Sequence, residues 1–138
     1  MINAALINNR YRILETLGKG GFGETYLAED LHLPSGRKCV LKQLKPIGQH
    51  SPIPLWMKER FQREAAILEE LGAASRQIPE LYAYFSEQEQ FYLVQEWIEG
   101  ETLAQKWQRE GNFTGEEVKQ LLIQILPVLD FVQTSRLA

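Results

Sequence analysis

The run Gly18-Lys19-Gly20-Gly21-Phe22-Gly23 constrains this chain more than any other segment. Glycine at this density disfavours both helix and strand interiors, so the run is expected to be a loop. On its N-terminal side, over Tyr11 to Leu17, the apolar Tyr11, Ile13, Leu14 and Leu17 mix with Arg12, Glu15 and Thr16 as in a half-buried strand. On its C-terminal side TYLAEDL is rich in β-formers and reads as a return strand. A hairpin joined by a glycine loop follows. The run fits G-x-G-x-x-G, a weak signal by itself. A dinucleotide-binding βαβ unit would need a helix directly after the glycines, with its N-terminus facing a pyrophosphate, and the strand-like TYLAED argues against that.

The turn residues Pro34, Ser35 and Gly36 precede KCVLKQL, which reads as a third strand with Val40 and Lys42 on one face and Cys39 and Leu41 on the other. Pro46, Pro52 and Pro54 mark a connector, because proline cannot donate to a sheet ladder. A helix is predicted from about Leu55 to Leu71, stopped by Gly72, with Met57, Phe61, Ala65, Leu68 and Leu71 on one face. Glu64 falls inside that apolar arc. Its bland explanation is an i,i+4 pair with Arg60. A desolvated carboxylate instead calls for a cation from another element, since stripping one partner from such a pair costs about 3–5 kcal/mol. LYAYF and FYLVQEW, separated by the polar SEQEQ, predict a second hairpin. A short helix, about Thr102 to Arg109, comes next, and then a longer one running to the chain end, opened by Thr114 and Glu117 at capping-box spacing.

Composition narrows the partners. At 138 residues, 44% hydrophobic and 24% charged, the chain is long enough to bury its own core without disulfides. Fifteen Lys plus Arg against 18 Asp plus Glu give a net charge of −3, which argues against nucleic acid while leaving room for a local basic site for a small phosphate ligand. One cysteine, Cys39, suits a reducing compartment. With no signal-like N-terminus and no long apolar run, a cytoplasmic location without membrane insertion is expected.

In order along the chain, LGKGGFGETYLAED, CVLK, FQREAAILEEL and LVQEWIEGETL resemble the protein kinase family, and their wording is most similar to bacterial Ser/Thr kinases of the cyanobacterial type. The resemblance implies an α+β fold: a kinase-like N-lobe (1–98) of five antiparallel strands with one αC-type helix, then the hinge and start of a helical C-lobe (99–138, the family's αD and αE). It implies ATP as ligand. The loop Gly18, Lys19, Gly20, Gly21, Phe22 and Gly23 would lie over the phosphates with Phe22 at its tip. Lys42, in the place of the V-A-I-K lysine, would contact the α- and β-phosphates, and Glu64 would pair with Lys42 and orient it. Leu17, Thr25 and Val40 would sandwich adenine, Gln95 would be the gatekeeper, and the Glu96 carbonyl and Ile98 amide would bond the base, with Thr102 near the ribose. Leu68 and Leu81 would stack in the regulatory spine, although plain core packing predicts the same burial. Thr25 stands where valine is usual, Val40 where alanine is, and polar Gln95 where an apolar gatekeeper is common.

The family's H-R-D, D-F-G and A-P-E segments do not occur in these 138 residues. The resemblance therefore implies no metal ligands here, Mg²⁺ only with a complete C-lobe, and no catalysis by this chain alone. Independently of the family, Val118, Leu121, Leu122, Ile125, Leu126, Val128, Leu129 and Val132 cover an arc of roughly 160° on the last helix, more than a small sheet with one helix can cover. Pro127 is expected to kink that helix. Two accounts fit: a portion of a kinase whose remaining C-lobe covers the helix, or a stand-alone lobe whose helix docks on another copy or another protein. The expected partners are accordingly ATP, a protein substrate in the complete enzyme, and whatever covers that helix. The functional alternative is a non-catalytic binding or regulatory module acting through its helices. A small α+β protein with a fortuitous glycine loop would need all four segments to coincide in order.

Overall fold

The computed structural model describes residues 6–20, 23–45 and 52–135. The chain divides into one unit ending at Trp97 and a second beginning at Ile98. The first contains β1 (Tyr11–Gly20), β2 (Gly23–Asp30), β3 (Lys38–Leu44), α1 (Leu55–Ala74), β4 (Leu81–Glu87) and β5 (Gln90–Glu96). The strands form one antiparallel sheet in the order β1-β2-β3-β5-β4. The expected kinase-like sheet and helix are therefore present.

Strand alternation gives the sheet two buried faces. Tyr11, Ala28, Cys39, Leu41, Tyr92 and Val94 form one core. Leu44 and Leu93, on the opposite face, meet Met57, Phe61 and Ala65 of α1 in the other, flanked by Leu68 and Leu81. Burying a side chain such as Leu41 or Leu93 contributes about 1.5–3 kcal/mol each. Among the described residues no helix packs on the first core. The sheet curls instead, so that Tyr11 of edge strand β1 stacks on Phe85 of edge strand β4 at 5.9 Å, and Phe85 stacks in turn on Tyr92 at 5.2 Å. The amide of Asn8 donates to Glu87 across the same seam.

Two boundaries differ from expectation. β1 does not stop at Leu17 but runs on through Gly18 to Gly20, because Gly18↔Thr25, Lys19↔Glu24 and Gly20↔Gly23 continue the ladder. An edge strand needs only backbone groups to pair, so side-chain-free residues do not end it. Gly21 and Phe22, and Pro46 of the expected connector, lie outside the described residues. Helix α1 passes Gly72 and ends at Ala74, with the Ser75 amide donating to the Leu71 carbonyl at 3.0 Å. Gly72 is not the stop. A Cβ there would lie 2.3 Å from the Pro79 carbonyl oxygen, so the glycine permits close approach of the segment entering β4.

The second unit holds α2 (Leu103–Glu110) and α3 (Gly115–Thr134). Both start with complete capping boxes, Thr102 with Gln105 and Thr114 with Glu117. Lys106 of α2 pairs with Glu117 of α3 at 3.4 Å. α3 is helical through Pro127, and no described side chain on it is buried; Ile123 and Leu126 are 55% and 54% exposed. The last residues, 136–138, are outside the description. No helix among the described residues is long and apolar enough to cross a membrane.

Two stability outcomes follow from backbone geometry. In Gly72→Ala the gain in helix propensity is outweighed by contact with Pro79, and denaturant unfolding should show a net loss of about 1–3 kcal/mol. The β4–β5 turn places Gln88 at φ 51° and Glu89 at φ 63°, a conformation that favours Asn-Gly. Gln88→Asn combined with Glu89→Gly should raise unfolding stability by about 1 kcal/mol, and no gain would contradict strain at this turn.

Candidate functional site

Register along β3 fixes where Lys42 emerges. It lies opposite Thr25 on β2 and Leu93 on β5, two positions from Leu44, which faces Gly23. Lys42 is thus beside the return of the glycine run. Its Nζ donates to Glu64 Oε1 of α1 at 2.9 Å, across 22 positions of sequence. Glu64 takes this partner as the resemblance implied, but the pair is not desolvated: the side chains are 32% and 46% exposed. Glu64 stands at the rim of the α1 stripe rather than beneath it. At such exposure an ion pair stabilises the fold by about 0–1 kcal/mol, so its significance is positional.

The pair separates two clefts. One, of about 210 Å³, is bounded by Gly20, Gly23 and Thr25 of the hairpin, and by Lys42 and Glu64. Gly23 is essential to its shape: a Cβ there would lie 1.9 Å from the Gln43 carbonyl oxygen, inside the β2–β3 ladder. The other cleft, of about 420 Å³, adds Arg60, Arg63, Ile67, Leu68 and Gln95 to the same pair. Lys42, Arg60 and Arg63 against Glu64 leave this cleft with an excess of two positive charges in a chain of net charge −3. That suits an anionic ligand. Gln95 buries its Oε1 without a hydrogen-bond partner among the described residues, so the cleft wall retains an unused acceptor.

The structure brings Gly20, Gly23, Thr25, Lys42, Glu64 and Gln95 to these two clefts. Leu17, Gly18, Lys19, Val40 and Glu96 line neither. Val40 shares the face of Lys42 and lies between Leu27 and Gln95 in the ladder. Glu96 donates its amide to the Glu80 carbonyl at 2.8 Å and accepts the Glu80 amide at 3.1 Å, tying the end of β5 to the start of β4. Ile98 begins the second unit. The Thr102 hydroxyl serves as a helix cap, accepting from the Gln105 amide at 3.1 Å.

Neither Lys38 nor Lys45 is simply a solvated lysine. Lys45 in fact donates to Glu24 at 2.6 Å, and the Tyr26 hydroxyl donates to the same carboxylate at 2.6 Å. These contacts brace the base of the glycine hairpin. Lys38 lies over the Trp97 ring, 5.5 Å from its centroid. Arg60 and Arg63 were missed as cleft residues. The signal was their placement with Glu64 and Ile67 at helical spacing, Arg60 four before Glu64 and Arg63 four before Ile67.

The family model for the protein kinase domain matches residues 11–137. The chain is similar to serine/threonine-protein kinase C of Synechocystis sp., 62% identical over 132 residues, covering 96% of this chain and 25% of that protein. It is also similar to serine/threonine-protein kinase PknA of Nostoc sp., 55% identical over 132 residues and covering 96% and 23%. Serine/threonine-protein kinase B of Synechocystis sp. is 43% identical over 134 residues, covering 97% and 23%. The chain spans about a quarter of the length of these curated relatives.

The brace beneath the hairpin has a titration signature. Lys45, and then Tyr26, hold the Glu24 carboxyl below its ordinary value of 4.5. A depressed carboxyl contributes stability that is complete above its ordinary value and is lost as pH falls through the lower folded value. In Lys45→Met the Glu24 carboxyl should titrate at higher pH by NMR, and the acid-side loss of stability should be shallower. An unchanged Glu24 titration would exclude the brace.

Proposed function

The chain belongs to the protein kinase family, and on that premise we propose that its first unit is the ATP-binding lobe of a protein serine/threonine kinase. The observation that carries this reading is the Lys42–Glu64 contact at 2.9 Å, made beside the return of a glycine hairpin on the strand where the family's lysine belongs. In this reading Lys42 neutralises charge on the α- and β-phosphates and Glu64 fixes the direction of its ammonium group. The backbone of Gly18 to Gly23, free of side chains where it must approach closely, covers the phosphates. Leu17, Thr25 and Val40 form the adenine slot, Gln95 stands behind it, and the Glu96 carbonyl and Ile98 amide take the base edge. The lysine and arginines lining the cleft support an anionic ligand, and the unused Gln95 acceptor suits a ligand that also carries an N–H or O–H donor.

In the reaction of a complete kinase of this family, the hydroxyl oxygen of a protein serine or threonine attacks the γ-phosphorus of ATP. The bond from that phosphorus to the bridging oxygen breaks, ADP leaves, and the hydroxyl proton passes to a base. The catalytic-loop aspartate and asparagine and the D-F-G aspartate are not among these 138 residues. In the family those residues supply the base and the Mg²⁺ ligands. The chain is therefore assigned nucleotide binding, while Mg²⁺ use and phosphoryl transfer in the family depend on those further segments. The exposed apolar side of α3 is assigned as a contact surface for the rest of a C-lobe. That same exposure is what favours the second reading, a module that uses α3 to engage another protein. Cys39 is buried, and burial pushes its thiol up to about 11, which leaves it protonated and unreactive near neutral pH.

Thermal unfolding tests the assignment. ATP with Mg²⁺ at a hundredfold excess over its Kd should stabilise the chain by about 2.7 kcal/mol, and the effect should vanish in Lys42→Ala. The purified chain should transfer no phosphate to protein. Stabilisation that persists in Lys42→Ala, or measurable transfer, would overturn the corresponding part of the assignment.

A further inference from the structure

The glycine-bearing strand has little beyond Ile13 to fix its register; before that, Tyr11 is buried in the first core and Arg12 pairs with Glu29 opposite it. β1 is an edge strand that pairs with β2, and after Tyr11 and half-buried Ile13 every residue from Leu14 to Gly20 is exposed. Its pairing with β2 is interrupted twice, between Ile13 and Glu15 and between Thr16 and Gly18. From Leu14 onward the strand has no buried face and slack in its ladder, so that segment is weakly registered, and a one-residue slip would reverse every side chain in it.

At the end of the hairpin away from the glycines the situation is opposite. Asp30 is 2% exposed. It accepts a fork from Arg10, Nε to Oδ1 at 2.8 Å and Nη2 to Oδ2 at 2.7 Å. Its Oδ1 also accepts the His32 amide at 3.0 Å, and the Arg10 carbonyl accepts the Leu31 amide at 3.0 Å. Arg10 immediately precedes Tyr11, which lies opposite Asp30 in the ladder. The fork therefore clamps the first rung of β1 to the last rung of β2.

We propose that the Arg10–Asp30 fork is a positioning pair that sets the register of β1, and through it the placement of Leu17 to Gly20 over the nucleotide, from the opposite end of the hairpin. The pair touches no ligand and acts through the strand. For the nucleotide consequence the inference rests on the ATP-binding reading; for the register consequence it does not. Loss of charge-assisted hydrogen bonds of this kind corresponds to roughly tenfold in an equilibrium.

The test uses the purified chain, an N-methylanthraniloyl-labelled ATP for affinity, and the cross-strand NOE between Thr16 and Tyr26, direct partners in the native ladder. Arg10→Met should raise the nucleotide Kd about tenfold and weaken or shift the NOE. Arg10→Lys keeps the charge but loses the fork; its Kd should rise about threefold, an intermediate effect that serves where Arg10→Met does not fold. Val94→Ala, which opens the first core on β5 and leaves the Arg10–Asp30 fork in place, should keep the Kd within about twofold despite lower stability. An unchanged NOE and Kd in the folded Arg10 variants would overturn the proposal, as would an equal loss of affinity in Val94→Ala. Failure of the wild-type chain to bind nucleotide would refute the ATP reading alone, and the NOE would still decide the register.

Discussion

The alternation along β3 governs the first unit. Cys39 and Leu41 face one core and Leu44 the other, while Val40 and Lys42 share the side of Leu44. Leu41, with no exposed surface, contributes more through burial than the half-exposed Lys42–Glu64 pair does through charge. The core therefore places the lysine; the ion pair only completes it. Helix α1 is subject to the same hierarchy. Met57, Phe61 and Ala65 hold it on the sheet, and Glu64 is carried to the cleft by the helix rather than anchoring it.

This order of energies explains what could be read in advance. Period-two alternation made KCVLKQL legible to the residue, because Cys39 and Leu41 on one face are buried and Val40 and Lys42 on the other are only partly so, which leaves the pattern no freedom. The helical stripe of α1 was equally plain. The exposure of Glu64 was not, since a helical arc gives direction but not the depth of what lies over it. Gly72 misled for a related reason: a glycine near a helix end has a local meaning, the cap, and a tertiary one, the approach of Pro79, and only coordinates distinguish them. Lys45 and Arg10 went unnoticed because their carboxylates, Glu24 and Asp30, are brought close by strand pairing.

In the second unit the division between local and long-range information is sharper. The two capping boxes involve residues three apart and are complete, so the helix starts follow from sequence alone. The apolar side of α3 has no such local resolution. Its eight-residue pattern states that something should cover it, and supplies no identity for the cover.

The stacking of Tyr11 on Phe85 has a consequence beyond the core that it closes. Edge strands expose unpaired backbone groups that can recruit strands of other molecules, and β1 and β4 are the two edges of this sheet. By turning them toward each other at the seam, the aromatic pair shortens the length of edge open to intermolecular addition. What is left of β1 carries Arg12, Glu15 and Lys19 and two ladder irregularities, features that discourage regular pairing. A contact formed for packing thus also protects the molecule against aggregation, and it does so beside the strand whose exposed glycines leave it least able to protect itself.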